Sequence, residues 1–311
     1  MQDSDDGRPL LAALHILGAV TLLGLVDNTV RLIAAEAGLW QFHLTRSAMV
    51  AVVLAAGAAA LGWRLRPRRW RPVLWRSAFL SGAMVLYFAA LAMMPIAEVG
   101  AGLFTAPIFV LLISVFAFGR RIGRWRVLAV AVGFAGVLLV LRPQAGGFSA
   151  LTLLPVAAGF LYALQALVTR RHCASESTMC LQAGFFAGLA VWAVLGLAVV
   201  HLVLPAPGTA FFDRGWVPAT PAFLFWTGVQ AVGSLLALGL LTRGYQLADP
   251  SYLAVFEYVF LVSAGGWAWV LWGEVLPPTA YLGIALIAVA GIVIGLRSRD
   301  PGAARRQAVQ P

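Results

Sequence analysis

Five ionisable residues standing within long apolar stretches are the most informative chemistry in this chain: Asp27, Arg31, Arg46, Glu98 and Glu257. A charge near the centre of a bilayer-spanning helix costs about 2.5–3.5 kcal/mol on insertion scales, so such groups face a cavity or a partner and are candidates for function. Asp27 and Arg31 are four residues apart, on one face of a helix and within pairing distance. A helix beginning near residue 10 rises about 1.5 Å per residue and carries Asp27 about 25 Å along it, toward the far leaflet. Arg46 and Glu98, each near the start of a later apolar stretch, enter from that same side. The four are expected to form an outer cluster, either an extracellular gate or a structural ion-pair network that neutralises itself. Glu257 stands apart, roughly 10 Å into its stretch and with no cation near it in sequence. It is a candidate proton carrier or hydrogen-bonding ligand for a cationic solute, against a plain role in helix packing.

Softer candidates surround these. Asn28 and Gln165 are uncharged hydrogen-bonding groups at similar depth in the two halves, suited to orienting a ligand. Tyr87, Tyr162, Trp226, Tyr258 and Trp267 offer rings for a planar or cationic ligand, although Trp and Tyr in such chains more often anchor the membrane interface. Pro107, near the middle of its stretch, lacks an N–H and should kink the helix and free a carbonyl. The four histidines are scattered near the ends of stretches without ligand spacing, and Cys173 and Cys180 have no His or Asp company. No metal or cofactor is therefore expected, and the cysteines should be free thiols. No phosphate-binding glycine loop, nucleophile elbow or zinc motif is present, which argues against an enzyme and against ATP-driven work by this chain alone.

The elements that must position these residues follow from composition. The 311 residues are 61% hydrophobic and 11% charged, with a mean hydropathy of +0.90, whereas soluble domains run about 45–50% apolar and about 25% charged. At about 20 residues per span the length accommodates ten membrane helices and no sizeable soluble domain. Apolar windows fall near 11–34, 43–63, 77–94, 97–118, 125–142, 151–169, 180–203, 222–242, 251–272 and 279–296. Asp3, Asp5 and Asp6 replace the basic start of a signal peptide, so residues 1–10 read as a tail and the first window as a retained span. The net charge of +10 comes from 22 arginines clustered between apolar windows, a topological signal rather than a nucleic-acid surface. With the amino end inside, 18 of the 22 lie on the cytoplasmic side, leaving Arg31, Arg46, Arg142 and Arg214, so both termini, including the tail at 297–311, are expected in the cytoplasm.

The halves 11–142 and 151–296 look related. Phe104 through Pro107 to Gly119, followed by a window holding Gly133 and Gly136, parallels Phe256 to Gly273, followed by a window holding Gly283 and Gly291. Five spans per half is odd, so the second copy inserts upside down. The charges agree, since the loop at 64–76 is dense in arginine while its counterpart at 205–220 has only Asp213 and Arg214. Inverted repeats of this kind supply two equivalent packings, and hence inward-open and outward-open states.

The runs Ala90-Leu91-Ala92-Met93-Met94-Pro95-Ile96-Ala97-Glu98, Phe104-Thr105-Ala106-Pro107 and Gly133-Phe134-Ala135-Gly136-Val137-Leu138 resemble the first repeat of EamA-type permeases of the drug/metabolite transporter superfamily. Ala248-Asp249-Pro250, Phe256-Glu257-Tyr258 and Gly273-Glu274 resemble the second, so the likeness runs from about residue 12 to 296. The resemblance implies an all-α, ten-helix, inverted-repeat carrier of small metabolites with a central cavity, and leaves the solute open among amino acids, nucleosides, sugars, adenosylmethionine-like compounds and drugs. One departure is Gly119-Arg120-Arg121, where the first repeat usually reads Gly-Glu-Arg. The expectation is a secondary carrier in a bacterial inner membrane, monomer or homodimer, with protons as a possible coupling ion and no nucleic acid partner. An integral-membrane enzyme acting on lipid-linked substrates and a non-transporting scaffold are the alternatives. The first would need convergent catalytic residues, and the second larger loops than this chain has.

Overall fold

Helices long enough to cross about 30 Å of hydrocarbon satisfy every backbone polar group internally, and among the described residues seven helical stretches are long and apolar enough to do so. The computed structural model describes residues 8–91, 96–119, 122–141, 153–204, 206–275 and 277–297. Its helices are α1 (Pro9–Asp27), α2 (Val30–Glu36), α3 (Leu39–Leu61), α4 (Trp70–Leu91), α5 (Ile96–Leu103), α6 (Ala106–Phe116), α7 (Arg124–Leu141), α8 (Leu153–His172), α9 (Thr178–Leu202), α10 (Pro221–Leu247), α11 (Pro250–Leu253), α12 (Val259–Trp272) and α13 (Pro278–Arg297), with a 3-10 turn at Phe256–Tyr258. They make ten passes, because α1 and α2, α5 and α6, and α11 with the 3-10 turn and α12 are each one pass broken in the middle. Large apolar side chains such as Val52, Trp75, Phe116, Trp192 and Val270 point outward, as lipid-facing surface requires. Residues 1–7 and 298–311 of the expected tails, the start of the second repeat at 151, and Arg120, Arg121 and Arg142 lie outside the described residues.

The windows at 11–34, 97–118 and 251–272 were read as continuous helices, and side chains that compete for backbone carbonyls explain why two of them are not. Thr29 Oγ1 donates to Val26 O at 2.7 Å, and Asn28 Nδ2 donates both to Gly24 O at 2.7 Å and to Ala264 O in α12 at 3.0 Å. These bonds end α1 and tie it to the ninth pass. In the fourth pass Pro107 removes an N–H and crowds the preceding turn, so the helix parts at Phe104–Thr105 and Pro107 becomes part of the first turn of α6. The expected kink is thus a break, with Gly102 O accepting both the Thr105 backbone N–H at 3.1 Å and Thr105 Oγ1 at 2.6 Å. Gly119 and Gly273 close the fourth and ninth passes with φ of 60° and 68°, a left-handed stop that glycine adopts without steric cost. Their matching places in the two halves account for the sequence parallel between them.

Packing follows the inverted repeat. The first pass packs on the eighth and ninth (α1 with α10 and α12), and in the same way the sixth packs on the third and fourth (α8 with α4, α5 and α6). The second and seventh passes (α3, α9) and the fifth and tenth (α7, α13) pair with their own counterparts. The result is two three-pass bundles, 1-8-9 and 3-4-6, flanked by two helix pairs. Glycines permit the close approaches: a Cβ on Gly136 would lie 2.6 Å from Gly283 O, and one on Gly283 2.5 Å from Gly136 O.

On the side where α1 begins and α13 ends, Glu176 accepts from the backbone N–H groups of Arg68 at 2.9 Å and Arg69 at 2.8 Å, joining the 2–3 and 6–7 loops. Cys173 and Cys180 are free and buried beside this junction, and burial pushes the Cys173 thiol up to about 11, where it is inert. On the opposite side a loop at 206–220 is strapped across the first two passes. Arg214 donates to Ala34 O and Ala35 O at the end of α2, and Gln41 exchanges two hydrogen bonds with the Val217 backbone at 2.8 and 2.9 Å.

Candidate functional site

Between the two bundles lies a chamber with a cavity volume of about 140 Å³. Bundle 1-8-9 contributes Asp27, Ser234, Leu238, Glu257 and Phe260, and bundle 3-4-6 contributes Met84, Tyr87, Phe88, Phe104, Pro107 and Tyr162. The second and seventh passes close the sides with Arg46 and Phe185. Its walls are mostly aromatic and aliphatic with a few convergent polar groups, the usual make-up of a small-molecule site. The carboxylates stand on one bundle and the phenols face them from the other. Tyr87 is within electrostatic reach of Asp27, and Tyr162 is the hydrogen-bonding neighbour of Glu257. Glu257 Oε1 is buried and has no partner among the described residues.

The polar end away from the start of α1 and the end of α13 is built around a residue that the sequence reading missed. Gln230 of α10, wholly buried, donates through Nε2 to Val26 O at 2.8 Å and to Asp27 Oδ1 at 3.3 Å, and accepts through Oε1 from Arg46 Nη1 at 3.4 Å. Arg46 also meets His43 Nδ1 at 3.1 Å and lies over the Phe42 ring at 4.8 Å. Only 8% of Arg46 is exposed and its Nε has no partner among the described residues, while Asp27 stays accessible from the chamber. A carboxylate and a guanidinium are thus held side by side through one neutral amide.

At the other end the seam is shut. The Phe104 ring lies 6.1 Å from Tyr258 and 6.0 Å from Phe260. Behind them Arg76, with no exposed surface, donates from α4 to Thr242 Oγ1 in α10 and to Leu181 O in α9, both at 2.8 Å. Arg170 of α8 donates to Gln246 O of α10 at 2.7 Å. Both Arg76 and Arg170 cross between bundles.

Of the expected outer cluster, Asp27 and Arg46 come together through Gln230, and Arg31 does not join them. Because the first pass breaks after Asp27, Arg31 turns away from it, pairs with Glu274 at 2.8 Å and lies 3.4 Å above the Trp272 ring. Asp27 and Arg46 belong to the chamber instead, and the Glu98 side chain lies outside the described residues. Of the other candidates, Tyr87, Tyr162, Glu257 and Pro107 line the chamber. Asn28 ties α1 to α12. Gln165 is buried beside Thr169, and Tyr258 packs behind Phe104. Trp226 packs near Ile33 and Phe223, away from the chamber, and Trp267 is not part of its lining. Gln230, Phe104, Phe185, Phe260 and Met84 gave no signal, since a neutral amide or an aromatic ring in an apolar window looks like any other core residue. Among the described residues no cluster of His, Cys, Asp and Glu could hold a metal.

The profile of the EamA-like transporter family matches residues 10–142. The chain is 27% identical to a riboflavin transporter of Vibrio cholerae over 91% of its own length and 92% of the relative's. It is 30% identical to a pseudopaline exporter of Pseudomonas aeruginosa over 68% of this chain and 70% of that one, and 25% identical to an S-adenosylmethionine uptake transporter of Rickettsia bellii over 70% of each. A solved crystal structure at 22% identity has the same fold, with a TM-score of 0.75 across 92% of this chain and 96% of that one.

Proposed function

This chain belongs to the EamA-like transporter family and carries small molecules across a bacterial membrane, and from that premise we propose that its cargo is an amphipathic metabolite with a flat ring system, bound in the chamber between bundles 1-8-9 and 3-4-6. The observation that carries this reading is the chamber wall, where Tyr87, Phe88, Phe104, Phe185 and Phe260 surround a few polar side chains, Asp27, Arg46, Ser234 and Glu257. Rings stack on such walls, and the polar groups orient them. The Vibrio cholerae relative, matched along nearly its whole length, is named for a solute of this shape.

Transport proceeds by rocking of the two bundles, which opens the shut end as the other closes. The clustering of arginines in the loops on that side supports an orientation with the shut end at the cytoplasm of an inner membrane and the chamber facing outward. Glu257 is the coupling group: its carboxyl stands in the seam with one free oxygen and Tyr162 opposite, positioned to exchange a proton when the seam opens. Uptake into proteoliposomes of labelled riboflavin, S-adenosylmethionine and a panel of amino acids, with and without a pH gradient, tests the reading. Riboflavin accumulation stimulated by the gradient is the expected result. Transport confined to amino acids would refute the flat-ring cargo, and gradient-independent uptake would refute coupling.

A further inference from the structure

The Asp27–Gln230–Arg46 row is built in a way that selects a particular hydrogen-bonding edge. An aspartate and an arginine in contact would satisfy each other in a fork of two bonds and leave little for a ligand. Gln230 prevents this by standing between them. Its amide takes Asp27 Oδ1 on one side and Arg46 Nη1 on the other, and its second N–H is anchored on Val26 O, so it cannot turn over without losing a buried bond. Each outer group then keeps one valence for the chamber. The accessible Asp27 carboxyl retains an acceptor oxygen in either protonation state, and Arg46, which lines the chamber, retains guanidinium N–H groups beyond those that Gln230 and His43 take. Phe42 and His43 hold the guanidinium in place from behind.

An acceptor beside a donor, above an aromatic wall, complements a ring edge on which an N–H adjoins a C=O. We propose that Asp27 and Arg46, spaced by Gln230, read the cyclic lactam or imide edge of the cargo, with Asp27 accepting its N–H and Arg46 donating to the neighbouring carbonyl. This rests on the flat-ring reading above and adds the group that the ring must carry. A zwitterion would also find opposite charges here, but Gln230 already joins the two charges into a neutral row, and the remaining wall is apolar. A flavin carries such an imide; an S-adenosylmethionine-like solute presents an ammonium and a carboxylate instead.

A site built around a ligand N–H rejects an analogue lacking it, because the buried acceptor is left unpaired. The test titrates purified full-length protein in nanodiscs with lumiflavin and with its N3-methyl derivative, following flavin fluorescence. Wild type should bind lumiflavin roughly tenfold or more tightly than the methylated compound. Asp27→Ala should bind the two alike, whereas Arg46→Gln should weaken both and keep a preference for lumiflavin. Equal binding of the two by wild type overturns the proposal while leaving the flat-ring reading intact; binding of neither overturns both. S-adenosylmethionine binding more tightly than lumiflavin, and weakening in both variants, would assign the row to a zwitterion and overturn it as well.

Discussion

At the scale of single residues the interior separates charges that work from charges that hold. Arg76 has no exposed surface and donates to Thr242 Oγ1, Leu181 O and Thr169 Oγ1, all neutral acceptors. Removing it takes a buried donor from each of them on the shut side of the seam, where among the described residues Thr242 Oγ1 keeps only Gln182 Nε2 at 2.9 Å. Arg76→Ala should lower the unfolding free energy by about 2–4 kcal/mol, measurable as loss of thermal stability in detergent, and Arg76→Lys should recover part of it. Glu257 behaves oppositely. With an oxygen already unpartnered, Glu257→Gln should leave folding and solute binding near wild type while transport loses its response to a pH gradient; a retained response would remove Glu257 from coupling. The sequence exposed Glu257 because an acid in an apolar window is conspicuous. It hid Gln230, whose burial is as complete but whose neutral amide carries no such mark, and it misplaced Arg31, since four-residue spacing predicts a pair only if the helix between is continuous.

At the scale of elements the account turns on where helices break and where they touch. Pro107→Ala restores an N–H able to reach Leu103 O and removes the clash that parts α5 from α6. The variant should be as stable as wild type or more so, yet transport more slowly, because the chamber wall at Leu103–Pro107 would straighten; unimpaired transport would show that the break is packing alone. Gly136→Ala drives a Cβ to 2.6 Å from the Gly283 carbonyl and should separate the fifth and tenth passes with a clear fall in melting temperature. Gly228→Ala is the control: nothing lies within 4 Å of its Cβ, and alanine is favoured over glycine in a helix by up to about 1 kcal/mol, so it should be neutral or stabilising. The number and rough limits of the passes were legible, because apolar length and arginine clusters announce them. The breaks at Asn28–Thr29 and Ala254–Val255 were not, since the first is set by side-chain bonds to carbonyls, one of them from α12, and the second has no proline at the break itself.

At the scale of the whole molecule the two halves exchange roles across the seam: where the first pass packs on the eighth and ninth, the sixth packs on the third and fourth. That symmetry makes an opposite packing accessible at similar energy, but the polar contacts break it. Arg76–Thr242 and Arg170–Gln246 bridge the bundles on one side, while the far side is left with an accessible Asp27. The inverted duplication could be read from odd pass number and charge reversal alone. Which end is shut could not, because it depends on contacts between residues more than 70 positions apart.

The central claim, that cargo passes through this chamber, is tested most directly by exchange of labelled riboflavin across proteoliposomes containing wild type or Met84→Trp. Met84 lines the chamber and is only partly buried, so an indole there extends into the chamber. The account predicts rapid exchange by wild type and none by the folded variant. Exchange at the wild-type rate with the chamber filled would contradict it.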